Sequence, residues 1–166
     1  MNKRIKKKQI KMNNKKLCKR YPFLIPRDYW TDKIPKNWDY EYTELYAFPK
    51  GWYKVFGKQM LEEIRDECIK FDYLDKLRIV QIKEKYGTLR FYVSPIPADS
   101  QIYEIIHKYE EMSAHVCEHC GRPAETDWNR SWVVTWCDKC KAEEDKRREE
   151  YYRKVRENRE KKENGC

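Results

Sequence analysis

Residues 117–140 read CEHCGRPAETDWNRSWVVTWCDKC, and this stretch decides the fold prediction. It contains two C-x-x-C motifs, Cys117 with Cys120 and Cys137 with Cys140, separated by sixteen residues. Two such motifs at this spacing are typical of zinc ribbons, in which each motif places two thiolates on one side of a tight turn. We therefore predict a tetrahedral zinc site made by all four cysteines.

Four protein ligands leave no open position for water, so the predicted zinc is structural and we expect no enzyme activity from it. Its role would be to join the end of a helix over 100–113 to the start of a long charged helix over 138–163. His115 and His119 flank the first motif and are alternative ligands. The enzymatic alternative is a thiol–disulfide protein in which one C-x-x-C pair cycles between dithiol and disulfide.

Upstream of the cysteines the clearest signal is a β-hairpin, LRIVQIKEK and TLRFYV joined by Tyr86 and Gly87. A glycine can take the positive φ that a two-residue turn requires. If Lys85 faces Thr88, one face is apolar and points toward the core: Val80, Ile82, Leu89, Phe91 and Val93. The opposite face is mostly basic: Gln81, Lys83, Lys85, Arg90 and Tyr92.

The outer hairpin face contains the candidate nucleic-acid contacts Lys83, Lys85, Arg90 and Tyr92. Cations of this kind meet phosphates, and an aromatic ring stacks on a base. The alternative is a solvated face, because a half-buried antiparallel sheet must direct polar side chains toward water.

Helical periodicity predicts an amphipathic helix over 57–71 and a second one that is capped by Asp99 or Ser100 and runs to Ser113. Residues 132–136 are predicted to add a third strand to the hairpin, because a lone hairpin is marginal in water. The predicted fold class is therefore α+β, a small antiparallel sheet packed on helices, with an embedded four-cysteine zinc ribbon and a long charged C-terminal helix.

Charge is distributed unevenly along the chain. Residues 1–20 contain ten Lys or Arg and no acid, whereas the other 27 of the 37 basic residues are balanced by all 28 acids. We predict a disordered basic tail over 1–20, an α+β domain over 21–140 that includes the ribbon at 117–140, and a solvated charged helix over 141–166. Nucleic-acid binding would depend on the tail or on a local patch, because the domain has no overall basic field.

Apolar residues occur only in short runs, too short for a secretion signal or a membrane span. The seven cysteines, four of them in a metal-type spacing, fit a reducing compartment better than a disulfide framework. The sequence therefore predicts a cytoplasmic protein with no membrane partner.

A resemblance to known proteins rests on five stretches of the sequence: YPFLIPR at 21–27, YTELYAFPKGW at 42–52, QIKEKYGTLRFY at 81–92, CEHCGRPA at 117–124 and WCDKC at 136–140. With them the chain resembles a group of small zinc-ribbon proteins encoded by phages and prophages of gut and clostridial-type bacteria. The resemblance covers most of residues 21–140 and implies a phage accessory protein acting in the cytoplasm of the infected bacterium. It brings no known activity.

The leading functional hypothesis is a non-enzymatic zinc protein that binds and modulates a host protein or ribonucleoprotein. Small phage proteins often act in this way, and the resemblance therefore implies an anti-defence, anti-CRISPR-like inhibitor as one form of that function. The alternative is a DNA- or RNA-binding regulatory protein that uses the basic tail and the hairpin face. A thiol–disulfide redox protein is the third hypothesis.

Overall fold

The computed structural model describes residues 3–28 and 30–163. Its helices are α1 (Lys3–Arg20), α2 (Lys50–Trp52), α3 (Lys58–Lys70), α4 (Ile102–Ser113) and α5 (Asp138–Glu163). Its strands are β1 (Arg78–Lys85), β2 (Thr88–Ser94), β3 (Thr126–Asp127) and β4 (Val134–Thr135). The predicted α+β class is confirmed, as is the long charged helix at the end of the chain. The outermost residues of the two predicted tails, 1–2 and 164–166, lie outside the described residues.

The hairpin forms in the predicted register, with Lys85 opposite Thr88. Its two turn residues have positive φ, 53° at Tyr86 and 74° at Gly87. This is the conformation of the type I′ turn, whose twist matches that of the two strands, and glycine adopts it without steric cost.

One residue of the hairpin faces the other way from the prediction. The pairing of β1 with β2 shifts register between Ile79 and Gln81. The resulting bulge reverses the alternation, so Ile79 is buried at 8% exposure while Val80 is 43% exposed. The predicted inward orientation of Val80 is therefore wrong, whereas Ile82, Leu89 and Phe91 are buried as expected.

The core lies between the hairpin and two helices, α3 and α4. Both helices are amphipathic, as their sequence spacing predicts, and α3 matches the helix predicted over 57–71. A 3₁₀ turn at Pro22–Leu24 adds buried side chains, and a single π-helical turn at Tyr53–Gly57 joins α2 to α3. The largest fully buried side chains come from these elements and, for Leu77, from the connection before β1: Phe23, Leu24, Trp52, Phe56, Met60, Leu61, Ile64, Leu77, Leu89, Phe91, Ile102 and Tyr109.

The start of α4 is capped from another helix. The backbone N–H of Gln101 donates to Oε1 of Glu67 on α3, at 2.9 Å. Neither Asp99 nor Ser100 caps the helix as predicted, because α4 begins at Ile102 and the Ser100 hydroxyl donates to the carbonyl of Pro97. The hydrogen bond from Gln101, followed by that from Lys70, lowers the pKa of the buried Glu67 carboxyl. A tertiary contact therefore replaces the local cap.

The predicted third strand does not join the hairpin. Within residues 3–28 and 30–163 the strands form two separate two-stranded antiparallel sheets, β1 with β2 and β3 with β4. The reason is visible at the outer edge of β2, where the N–H groups of Leu89 and Phe91 donate to Ser113 Oγ and Glu110 Oε1, both at 2.8 Å. Side chains of α4 thus occupy the donors that another strand would use.

Residues Lys3–Arg20 form the helix α1, where the sequence predicts a disordered tail. Its C-terminal turn packs on the core through the buried Cys18 and the half-buried Leu17. Carboxylates further along the chain also pair with it, among them Asp39 with Lys11 at 2.6 Å. The composition of residues 1–20 could not predict this helix, because the carboxylates that pair with it lie elsewhere in the chain. No helix in the part of the chain that the structure describes is long and apolar enough to cross a membrane.

Candidate metal centre

The first C-x-x-C motif lies in a tight backbone turn, which we call the first knuckle (residues 116–124). An isolated β-bridge pairs Val116 with Pro123, and the N–H of Cys117 donates to the carbonyl of Arg122 at 2.8 Å. Inside this bridge the N–H of Gly121 donates to the carbonyl of Cys117 at 2.9 Å. These bonds fold the chain so that both thiols of the motif point to the same side.

The first knuckle is fixed to the core through α2. The N–H of Gly51 donates to the carbonyl of Glu118 at 2.7 Å, and the indole N–H of the buried Trp52 donates to the carbonyl of Val116 at 2.7 Å. A Cβ atom at Gly51 would lie 2.1 Å from the Cys117 carbonyl oxygen, so no larger residue fits this contact without a backbone shift. Backbone-to-backbone packing therefore positions the first pair of cysteines.

The second motif forms the second knuckle (residues 137–141) at the start of α5. Cys137 precedes the helix, Cys140 lies in its first turn, and the N–H of Lys141 donates to the carbonyl of Cys137 at 3.0 Å. The positive end of the helix dipole stabilises negative charge placed near this turn. Two ion pairs tie α5 to the ribbon between the knuckles, Lys141 with Asp127 at 2.9 Å and Arg130 with Asp145 at 2.6 Å.

The fold brings the four predicted ligands together. The Sγ atoms of Cys117, Cys120, Cys137 and Cys140 all lie within 4.8 Å of one another, and those of Cys120 and Cys137 are 3.6 Å apart. A tetrahedron with Zn–S bonds of ~2.3 Å has sulfur–sulfur edges of about 3.8 Å. The cluster therefore has the size of a four-thiolate site and can hold a metal ion.

Arg122 spans the two knuckles from the solvent side. Its Nε donates to Cys120 Sγ at 3.4 Å, and its Nη2 donates to Cys137 Sγ at 3.2 Å. Burial alone would raise the pKa of Cys120, but the hydrogen bonds from Arg122 and from neighbouring thiols lower it to about 6. Burial and the adjacent thiols raise the pKa of Cys140 to about 12. Thiolates this close together repel one another, and a bound divalent metal ion would compensate their charge.

The two histidines near the cluster have other partners. Nδ1 of His115 lies 2.8 Å from a carboxylate oxygen of Glu125, and the ring of His119 packs against the indole of Trp136 with centroids 4.7 Å apart. Neither histidine belongs to the group of four cysteines, so the alternative ligand set is not supported.

The candidate nucleic-acid residues also lie together, on the outer face of the hairpin. Lys83 is paired with Arg90, and the Lys83 ammonium lies over the ring of Tyr92, 5.4 Å from its centroid. Lys85 lies over the ring of Tyr86 at 5.3 Å, and the side chain of Tyr92 is 44% exposed. The face therefore combines three cations with two accessible aromatic rings.

Two residues of the metal centre were missed by sequence reasoning, Gly51 and Arg122. Gly51 is 66 residues away from Cys117 along the chain, and nothing local indicates that their backbones touch. Arg122 is two residues from Cys120, but its reach to Cys137 depends on how the knuckles are arranged.

Comparison of the chain with models of known protein families, with curated protein sequences and with solved structures returned no match. The fold and the site by themselves define the class, an α+β protein with a four-cysteine cluster that can bind a metal ion. The resemblance to phage-encoded proteins stays a prediction.

Proposed function

We propose that this is a non-enzymatic protein in which one structural Zn²⁺ ion, held by the four cysteines, orders a surface that binds a host protein or ribonucleoprotein. The observation that carries the proposal is the four-thiol cluster itself, since four sulfur ligands fill a tetrahedral ion and leave no position for a substrate or water. Thiolates select zinc over the harder divalent cations. A redox couple is less well supported, because a contact of 3.6 Å joins sulfurs of different motifs.

The ribbon loop between β3 and β4 is the surface best suited to a protein partner. Its two tryptophans, Trp128 and Trp132, are 68% and 73% exposed, although tryptophan normally buries most of its area. Exposed tryptophan is enriched among the residues that dominate binding energy at protein interfaces. In the setting that the phage resemblance implies, the partner would be a host complex, and inhibition of a CRISPR-type effector is one specific form of this proposal.

The metal part of the proposal is tested by elemental analysis of purified protein, which should give one zinc per chain. The partner part is tested by capture from a clostridial-type host lysate, with and without nuclease, followed by reassembly with the purified captured protein. The double variant Trp128→Ala with Trp132→Ala should lose the complex, whereas Tyr46→Ala, an exposed aromatic at 91% elsewhere, should keep it. A zinc-free protein, or one that stays a free monomer in the host lysate, would contradict the proposal.

A second candidate function is nucleic-acid binding. It is favoured by one observation, the grouping of Lys83, Lys85 and Arg90 with Tyr92 on an open sheet face. A cationic face with accessible rings suits single-stranded nucleic acid, whose bases stack on aromatic side chains. Tyr92→Ala should weaken binding of a labelled single strand by about 1–3 kcal/mol, measured by fluorescence anisotropy. Equal binding by the variant and the parent would remove this candidate.

A further inference from the structure

Helix α1 carries the largest net positive charge of the helices that the structure describes. Its 18 residues include ten Lys or Arg and no acid. Only Cys18 is buried, while Lys11, Asn14 and Leu17 are half-buried, and this spacing identifies the side of the helix that faces the body of the protein. The remaining residues of α1 are exposed.

The inner side of α1 is neutralised by the protein itself. The Lys7 ammonium lies 2.8 Å from Glu41 Oε1, and Lys11 lies 2.6 Å from Asp39 Oδ2. Hydrogen bonds from these lysines lower the pKa of both carboxyls. Asn14 adds a hydrogen bond to the carbonyl of Tyr40 at 2.8 Å. The acids of this loop therefore hold the helix in place and compensate its inner charges.

The outer side has no such compensation. At 100° per residue, Lys16 lies opposite the inner side that Lys11, Asn14 and Cys18 define, and Lys8 and Lys19 lie on one flank, roughly a quarter turn from it. All three are exposed, and none has a carboxylate partner among the described residues. Because the helix rises 1.5 Å per residue, they extend over roughly 16 Å. One strand of a duplex carries about five phosphates over that distance, at roughly 3.4 Å each.

The composition of this outer side distinguishes between anionic partners. It has no aromatic ring on which an unpaired base could stack, which disfavours single strands. Its apolar residues are Ile5 and Met12, set among the lysines, whereas a helix lying on a membrane needs a continuous apolar stripe. A row of cations that has only isolated apolar neighbours and no aromatic ring matches a regular phosphate backbone.

We propose that Lys8, Lys16 and Lys19 on the outer side of α1 bind the phosphate backbone of double-stranded nucleic acid. The inference rests on the nucleic-acid-binding function proposed above, and it adds a second surface and a second substrate class, duplexes, to the single strands proposed for the hairpin face. Binding through phosphates carries no sequence preference and is sensitive to salt. It would place a duplex against α1 and leave the hairpin face free for another strand or partner.

The test uses the full-length, zinc-loaded protein and labelled 20-base-pair duplexes of DNA and of RNA with random sequence. Binding is measured by fluorescence anisotropy at several salt concentrations. The triple variant K8Q/K16Q/K19Q should bind at least tenfold more weakly, and the slope of log affinity against log salt should be smaller in magnitude by about 2.7 on DNA, which is ~0.9 for each of three phosphates. The two duplexes show whether the backbone is that of DNA, of RNA or of both.

The matched control removes three charges from the hairpin face instead, in K83Q/K85Q/R90Q. This variant should keep the duplex affinity and slope of the parent. If it loses duplex binding while the α1 variant does not, nucleic-acid binding stands and the assignment to α1 is overturned. If the parent binds neither duplex at low salt, or binds anionic phosphatidylglycerol vesicles more tightly than either duplex, the proposal for α1 is overturned. Binding of a labelled single strand in the same assay would show that the second candidate function still holds.

Discussion

The two knuckles of the metal centre supply the same ligands but are held in different ways. The first knuckle is locked to the core by the backbone contacts of Gly51 and by the indole of Trp52. The second knuckle continues into α5, which the ion pairs of Arg130 and Lys141 tie to the ribbon. The strand before this knuckle is tied to the first knuckle by a backbone hydrogen bond from the N–H of Glu118 to the carbonyl of Thr135, at 3.0 Å. Exposed and half-exposed ion pairs contribute little to stability, typically ~0–1 kcal/mol.

The difference indicates how the site is built. The first knuckle is preformed, because the groups that shape it belong to the folded core. A bound metal ion would be the strongest link between the start of α5 and the other pair of sulfurs, so we expect the second knuckle to depend on it. We therefore expect metal to order the C-terminal part of the protein without being needed for the core.

Metal removal should give the largest effect. Structural zinc sites contribute apparent binding free energies of ~10–16 kcal/mol, more than a typical domain's total stability. After chelation, hydrogen exchange should become fast at residues 137–145, while the amides of Leu89 and Phe91 in the core stay protected.

A cysteine variant provides the control for this experiment. Cys140→Ser should reproduce the effect of chelation, whereas Cys68→Ala, which removes a buried thiol outside the cluster, should retain one zinc per chain. Equal deprotection of the first and second knuckles would show that neither is preformed.

The next effect in size concerns the backbone contact at Gly51. Gly51→Ala places a Cβ 2.1 Å from the Cys117 carbonyl oxygen, and a misfit of this kind in a packed region costs about 1–3 kcal/mol or more. The midpoint of urea unfolding should fall accordingly in both metal-loaded and metal-free protein. Lys50→Ala, an exposed neighbour in the same turn, should change stability by less than ~0.5 kcal/mol. A loss confined to the metal-loaded form would mean that the knuckle is not part of the core.

Arg122 should affect metal affinity more than folding. It donates to one sulfur from each knuckle, and a guanidinium there offsets part of the negative charge of a four-thiolate zinc site. Arg122→Gln should lower zinc affinity about 10- to 100-fold, as is typical when a partner of the metal ligands is lost. Competition with a chromophoric chelator measures this change.

Arg122→Lys keeps the charge but loses the fork, so its zinc affinity should fall between those of Arg122→Gln and the parent. Arg156→Gln on α5 is the matched control and should match the parent. If Arg122→Gln bound zinc as tightly as Arg156→Gln, the hydrogen bonds from Arg122 to sulfur would contribute nothing to zinc affinity.

Local patterns predicted what depends on local geometry. The four ligands, the hairpin turn and the helices α3, α4 and α5 follow from short-range spacing, and all of them form. The orientation of Val80 could not be predicted, because a bulge depends on how two strands meet. The absence of a third strand from the hairpin could not be predicted either. Ser113 and Glu110, on a helix nineteen or more residues away along the chain, accept hydrogen bonds from the N–H groups at the outer edge of β2.

Charge was the other source of error. Ten cations without an acid indicate a disordered segment when taken alone. The acids Asp39 and Glu41 lie some twenty to forty residues downstream of the cations and compensate only when the chain folds back. Glu67 is a similar case, because no local sequence motif predicts that it caps a helix 34 residues away along the chain.

The smallest expected effect is the pH dependence of core stability in metal-free protein. Glu67 is buried and accepts hydrogen bonds from the N–H of Gln101 and from Lys70, which lower its pKa below the ordinary value of about 4.5. A carboxyl with a lowered pKa stabilises the fold fully above its unfolded-state pKa, and this contribution is lost as pH falls through the folded-state value. Chelated protein should therefore lose stability below about pH 5. Glu67→Gln replaces the charged acceptor by a neutral amide, so its free energy of unfolding at pH 7 should be lower by about 1 kcal/mol. Because the amide does not titrate, the stability of this variant should change less as acid is added. The two proteins should converge in stability as the pH falls through the folded-state pKa of Glu67. Parallel curves over the whole pH range would show that the cap on α4 contributes no charge-dependent stability to the core that holds the first knuckle.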